Sequence, residues 1–165
     1  MSSRNAFPAF AAGLFLAASA FGQATTTTTT STVTRADSLP PVGLAVTDTI
    51  QVNLTNTATA STGGTAASCT GSVAFYNAAG TVIGTATSFT LASGQITAVK
   101  LPYASAGASG SRAVVRPVIT ATGTVPQSAP CSLQYSVETY DTATGVTHTY
   151  AAGAGPAVPQ GGFIR

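Results

Sequence analysis

The stretch from Cys131 to Tyr140 reads Cys-Ser-Leu-Gln-Tyr-Ser-Val-Glu-Thr-Tyr, and its side chains sort by twos. Cys131, Leu133, Tyr135 and Val137 fall on one side; Ser132, Gln134, Ser136 and Glu138 fall on the other. A period of two with aromatic and branched residues on one face marks a half-buried strand. The only other cysteine, Cys69, opens a second such stretch, in which Cys69, Gly71, Val73 and Phe75 share a phase. Both sulfurs are therefore expected in one core, joined as a disulfide between two strands. Two free buried thiols are the competing arrangement.

The cysteine pair matters because of where the chain is expected to fold. Arg4 precedes an uncharged Ala, Leu and Phe run from Ala9 to Phe21, and small residues follow at Gly22 and Ala24. That is the pattern of a secretory signal peptide cleaved after Ala24. The run is short of the roughly 20 apolar residues a membrane-spanning helix needs. Residues 1–24 are accordingly assigned to a leader, and the mature protein to the periplasm, cell envelope or medium, where disulfides persist. Closing a loop of about sixty residues is worth about 4 kcal/mol in lost chain entropy.

Without Arg4, five basic side chains face four acidic ones. Nucleic-acid binding needs a concentrated basic footprint, which this balance does not supply. The abundance of Thr, Ser, Val and Gly favours strands. Outside the leader no segment keeps a helical apolar period.

Taken in order, Thr25 to Thr34 is a threonine run and Arg35 to Gly43 carries Pro40-Pro41, so residues 25–43 read as a tether and lead-in. The folded body is expected over residues 44–151. Ile50, Val52 and Leu54 share a side with Val46 and Asp48, while Thr47, Thr49, Gln51, Asn53 and Thr55 take the other. Thr62 to Thr65 breaks the pattern as a loop. Asn77-Ala-Ala-Gly80, Ala92-Ser-Gly-Gln95 and Asp141-Thr-Ala-Thr-Gly145 are turn sequences. Ile96 is out of phase with Val99 and Leu101, which predicts a bulge between them. Pro117 lies inside Arg112 to Thr122 and predicts an edge or bulged strand. Residues 152–165, rich in Gly, Pro and Ala, read as a disordered tail. About seven strands with turns every eight to twelve residues make an all-β chain, a two-sheet antiparallel β-sandwich held by one disulfide.

Val73 to Gly84, followed by Phe89 to Gln95, resembles a hairpin cassette of secreted bacterial immunoglobulin-like and fibronectin-type sandwiches. Leu133 to Gly145 is similar to the last hairpin of small exported β-domains. The resemblance spans about Val46 to Tyr150 and implies an immunoglobulin-like sandwich. It lacks the tryptophan that packs on the disulfide of antibody-type domains, and it implies no catalytic residues.

The supply of chemistry is thin. His148 is the only histidine, sharing a phase with Val146 and Tyr150, and no nucleophile-elbow sequence accompanies it. Asp48, a carboxylate in an apolar phase, is expected to pair with Arg112 or Arg116. No Asp-rich loop offers a calcium site, the glycine stretches lack the lysine of a phosphate loop, and two Cys with one His do not match a zinc pattern. No enzyme, cofactor or metal is expected. What remains is a candidate binding face of Tyr76, Tyr140 and Tyr150. Three functions follow: a structural or adhesive surface module, a glycan- or protein-binding module using those tyrosines, or a filament subunit that donates Ser31 to Val46 to a neighbour's sheet edge.

Overall fold

The computed structural model describes residues 31–59, 68–125 and 131–154. Within them run β1 (Ser31–Ser38), β2 (Val42–Ala45), β3 (Asp48–Asn56), β4 (Cys69–Asn77) and β5 (Val82–Leu91). These are followed by β6 (Ile96–Pro102), β7 (Arg112–Val125), β8 (Leu133–Asp141) and β9 (Thr147–Ala154). A short 3-10 turn at Tyr103–Ser105 lies between β6 and β7. All pairings are antiparallel. One sheet has the order β1–β7–β4–β5, with β2 also on β7; the other has the order β6–β3–β8–β9.

The period of two does what it predicts. Ile50, Val52 and Leu54 of β3, Val73 and Phe75 of β4, and Leu133 and Val137 of β8 are buried in one cluster with Val115 and Ile119 of β7. This cluster is the filling of an all-β sandwich, drawn from the inner faces of both sheets. Gly71 keeps the inner phase without a side chain because a Cβ there would lie 2.0 Å from the Thr120 carbonyl oxygen and 2.7 Å from the Phe89 ring. Cys69 and Cys131 are bonded, with Cα atoms 5.2 Å apart. The bridge ties the start of β4 to the lead-in of β8, so it crosses between the layers.

Among the described residues the sandwich has nine strands where about seven are expected, because the lead-in itself is paired. Ser31–Ser38 is in register with β7 from Val125 to Val118, and Val42–Ala45 continues along β7 from Val115 to Arg112. The body thus takes in Ser31, ahead of the expected start at residue 44, and β9 continues to Ala154. The expected leader at residues 1–24, the first threonines, the expected loop at 62–65 and most of the expected 152–165 tail lie outside the described residues.

Two expectations about register are corrected. Strand β7 is central, flanked by β4 on one side and by β1 and β2 on the other, although it holds Pro117. The backbone N of Leu39 donates to the Pro117 carbonyl at 3.0 Å. A strand residue directs its N–H and C=O to the same neighbour. The N–H that Pro117 lacks therefore belongs to the side where Leu39-Pro40-Pro41 breaks the β1–β2 line, and no ladder bond is forfeited there. The second correction is at Ile96: β6 pairs with β3 in unbroken register from Ile96↔Thr55 to Pro102↔Thr49, with no bulge. Ile96 turns outward and stays 69% exposed.

The turns follow their sequences. Asn77 Oδ1 accepts from the backbone N–H groups of Ala79 and Thr81 at 3.0 and 2.9 Å, and Gly80 takes the left-handed φ of 79° the turn requires. At the other hairpin, Asp141 Oδ1 accepts from the Ala143 and Thr144 backbone at 3.0 and 2.8 Å and from the Thr144 hydroxyl at 2.9 Å.

Candidate functional site

The outer face of the β6–β3–β8–β9 sheet is where polar chemistry gathers. Cross-strand partners share a face, so the register reads as rows across the sheet. One row runs Lys100, Gln51, Glu138, Tyr150; the next runs Ala98, Asn53, Ser136, Ala152; the one beyond holds Ile96, Thr55 and Gln134. Two rows of long side chains thus flank a row that begins and ends in alanine. The result is an open trough of about 480 Å³, lined by Asn53, Thr55, Gln134, Ser136, Tyr150 and Ala152 among others.

Asn53 and Ser136, which line the trough, are tied by hydrogen bonds to the neighbouring row. Gln51 Nε2 donates to Glu138 Oε1 at 2.9 Å and to Asn53 Oδ1 at 2.6 Å. Asn53 Nδ2 donates to Glu138 Oε1 at 3.1 Å and to Ser136 Oγ at 3.2 Å. Two amides, a hydroxyl and a carboxylate are joined on one face of the sheet, on strands rather than loops. Glu138 Oε2 and Gln51 Oε1 accept no hydrogen bond from the described residues. Tyr150, 65% exposed, stands at the end of the same row. Lys100 Nζ sits over the Tyr140 ring, 5.9 Å from its centroid.

The predicted tyrosine face is only partly assembled. Tyr140 and Tyr150 share this sheet on adjacent strands. Tyr76 does not join them: it lies on β4 in the other sheet, where the Arg116 guanidinium packs 5.5 Å from its ring centroid. Phase correctly turns Tyr76 away from the core, but phase says nothing about which sheet a strand enters. Conversely, Gln51, Asn53, Ser136 and Glu138 are not singled out by the sequence as a site. Their signal was the pair of polar half-faces on two separate stretches; what was missing was that β3 and β8 lie side by side.

Tyr135 backs the trough from within. A Cβ at Gly153 would lie 2.7 Å from its hydroxyl, so the missing side chain makes room for the ring. Burial, followed by the negative charge of Asp37, raises the Tyr135 phenol above its usual range.

Asp48 finds a partner other than the expected Arg112 or Arg116. Its Oδ2 accepts from the Ala45 backbone at 3.2 Å, and its Oδ1 lies 3.3 Å from His148 Nδ1. The reason is a β-bulge: Thr139 pairs with Thr149 and Tyr140 with Thr147, leaving His148 as the extra residue. A bulge re-aims its side chain, here toward the entrance of β3. Arg112 instead lies against Gly43 on the other sheet. The Asp48–His148 pair has the form of a base and its orienting acid, yet among the described residues no hydroxyl or thiol bonds to the imidazole. No group of three His, Cys, Asp or Glu side chains among the described residues could hold a metal ion, and no helix among them is long and apolar enough to cross a membrane.

Comparisons with family models, with curated proteins and with solved structures find no match to this chain.

Proposed function

We propose that the chain is an exported, non-catalytic adhesive module that holds an extended carbohydrate chain in the trough on the outer face of the β6–β3–β8–β9 sheet. The observation that carries this reading is the Gln51–Asn53–Glu138 network. Glu138, with Gln51 beside it, fixes the Asn53 amide at the edge of an open trough that Asn53, Ser136 and the exposed Tyr150 line. Sugars present alternating hydroxyl edges and apolar ring faces, so planar amides, a carboxylate and one exposed aromatic ring answer them chemically. The trough's volume falls within the range usual for ligand sites, and its openness across the sheet suits a polymer better than a free monosaccharide. The near balance of charge disfavours polyanions such as nucleic acids.

The leader and the inter-sheet disulfide support delivery to an oxidising compartment. With tyrosines and no tryptophan, each site is expected to be weak, near a millimolar Kd or about −4 kcal/mol. Adhesion then comes from many copies on one surface, through effective concentration.

The test is retention on an array of immobilised glycans, comparing the native protein with Tyr150→Ala and Asn53→Ala. Retention by at least one glycan class, reduced tenfold or more in both variants, supports the reading. Absence of retention by every glycan, or equal retention by the variants, removes it.

A further inference from the structure

We propose that β1 is an exchangeable strand, which leaves its own β7 and pairs in the same register with β7 of a second copy of this chain. The inference is independent of the carbohydrate reading and uses a different sheet.

Strand β1 is paired along its whole length yet contributes nothing to the core. Its eight residues are in register with Val118–Val125, but none is buried; Val33 and Asp37 are half-buried and the other six are exposed. Cross-strand partners share a face, so Val33, Arg35 and Asp37, opposite Gly123, Ala121 and Ile119, occupy its inward phase. Two of these three are charged, which confines the strand to the rim of the sandwich. A ladder without apolar burial is held mainly by hydrogen bonds that water can replace, so it opens at far lower cost than the body.

The core starts at the next residue. Leu39 is buried, and Leu44 in β2 is fully buried. Between them Pro40-Pro41 breaks the line opposite Pro117, where the ladder has a single bond from the Leu39 N–H to the Pro117 carbonyl. The chain therefore has a sharp border between an anchored half, β2, and a peripheral half, β1. A proline pair at that border gives a stiff, extended link that has no N–H to donate to a ladder.

When β1 departs, β7 keeps its other partner, β4, from Thr70↔Thr122 to Asn77↔Val115. The body then presents one unpaired edge with the complement of its own β1. Another copy's β1 restores every bond that was lost, so exchange is nearly balanced in contacts and is driven by concentration. Only Ser31–Ser38 moves; the sequence-based donor of Ser31 to Val46 is too long, because it includes the buried Leu39 and Leu44.

Register supplies the test. Thr34 and Thr122 are direct cross-strand partners in β1 and β7. Two exported proteins, Thr34→Cys in one and Thr122→Cys in the other, are mixed at high concentration and oxidised. A mixture of Thr34→Cys with Thr90→Cys, on the far strand β5, is the control. The double variant Thr34→Cys/Thr122→Cys checks the register within one chain. Exchange predicts a covalent heterodimer through the 34–122 bond, at least tenfold above the control, identified by peptide mass. If the mixture gives no more than the control while the double variant closes within one chain, exchange does not occur. A double variant that fails to close removes the β1–β7 pairing and the proposal with it.

Discussion

Gln51 and Glu138 face each other across the β3–β8 pair, with the amide nitrogen 2.9 Å from the carboxylate oxygen. Neither residue is in the core. Their contact matters because Asn53 donates to the same oxygen at 3.1 Å, so one carboxylate fixes the orientation of two amides along the trough. A surface arranged in this way has given up rotamer freedom before any ligand arrives, which lowers the cost of binding.

Glu138→Ala separates binding from stability. The carboxylate is half-exposed, and water can replace it as an acceptor for both amides. The expected loss of stability is about 1 kcal/mol or less, with glycan retention reduced tenfold or more. Urea denaturation and array binding on the same preparation check both halves.

Asn56→Ala is expected to be far more costly, although the residue is just as polar. Asn56 is fully buried; its Nδ2 donates to the Leu91 carbonyl at 3.0 Å and its Oδ1 accepts from the Ala58 N–H at 3.0 Å. It joins the end of β3 to the end of β5, across the two sheets. Removing the amide leaves buried partners unsatisfied, so about 2–4 kcal/mol should be lost. The urea midpoint falls with little change in slope if this account is right.

The pairing of Cys69 with Cys131 closes a loop of 62 residues between the layers. Replacing both with alanine is expected to cost about 4 kcal/mol. Since whole domains are stable by roughly 5–15 kcal/mol, the double variant should be close to unfolding at 37 °C. Thermal unfolding monitored by circular dichroism measures this directly.

These effects show what could be read from residues alone. The inward phases of β3, β4 and β8 and the meeting of the two sulfurs were legible, because both follow from alternation and from burial of cysteine. Sheet membership was not. Tyr76 and Tyr140 both turn away from the core, yet they lie on opposite outer faces of the sandwich, since nothing local to Val73–Asn77 says which strands will flank it. Pro117 was legible as a residue without an N–H, but its tolerance in a central strand depends on Pro40-Pro41, more than seventy residues earlier in the chain. The partner of Asp48 depended on a bulge at His148 that no glycine or turn residue announces.

The turn at Asp141 gives a pH dependence with a definite sign. The Thr144 backbone N–H, then the Thr144 hydroxyl, hold the Asp141 carboxyl below its usual range, with lesser help from the Thr47 hydroxyl and the Ala143 N–H. A carboxyl depressed in the folded state stabilises the fold above its unfolded pKa, near 4. That contribution is lost as pH falls through the lower folded value. Stability should therefore decline on acidification below about pH 4, and Asp141→Asn should flatten that part of the curve. Urea midpoints between pH 6 and pH 2.5 for the two proteins make the comparison.

The most direct measurement of the binding account is a titration of the isotopically labelled protein with soluble cello-, chito-, xylo- and galacto-oligosaccharides, followed by amide chemical shifts. The account predicts saturable changes for at least one series at Asn53, Thr55, Gln134, Ser136 and Tyr150, with β4 and β5 on the opposite sheet unmoved. Shifts confined to that opposite sheet, or none with any oligosaccharide at concentrations well above millimolar, would contradict it.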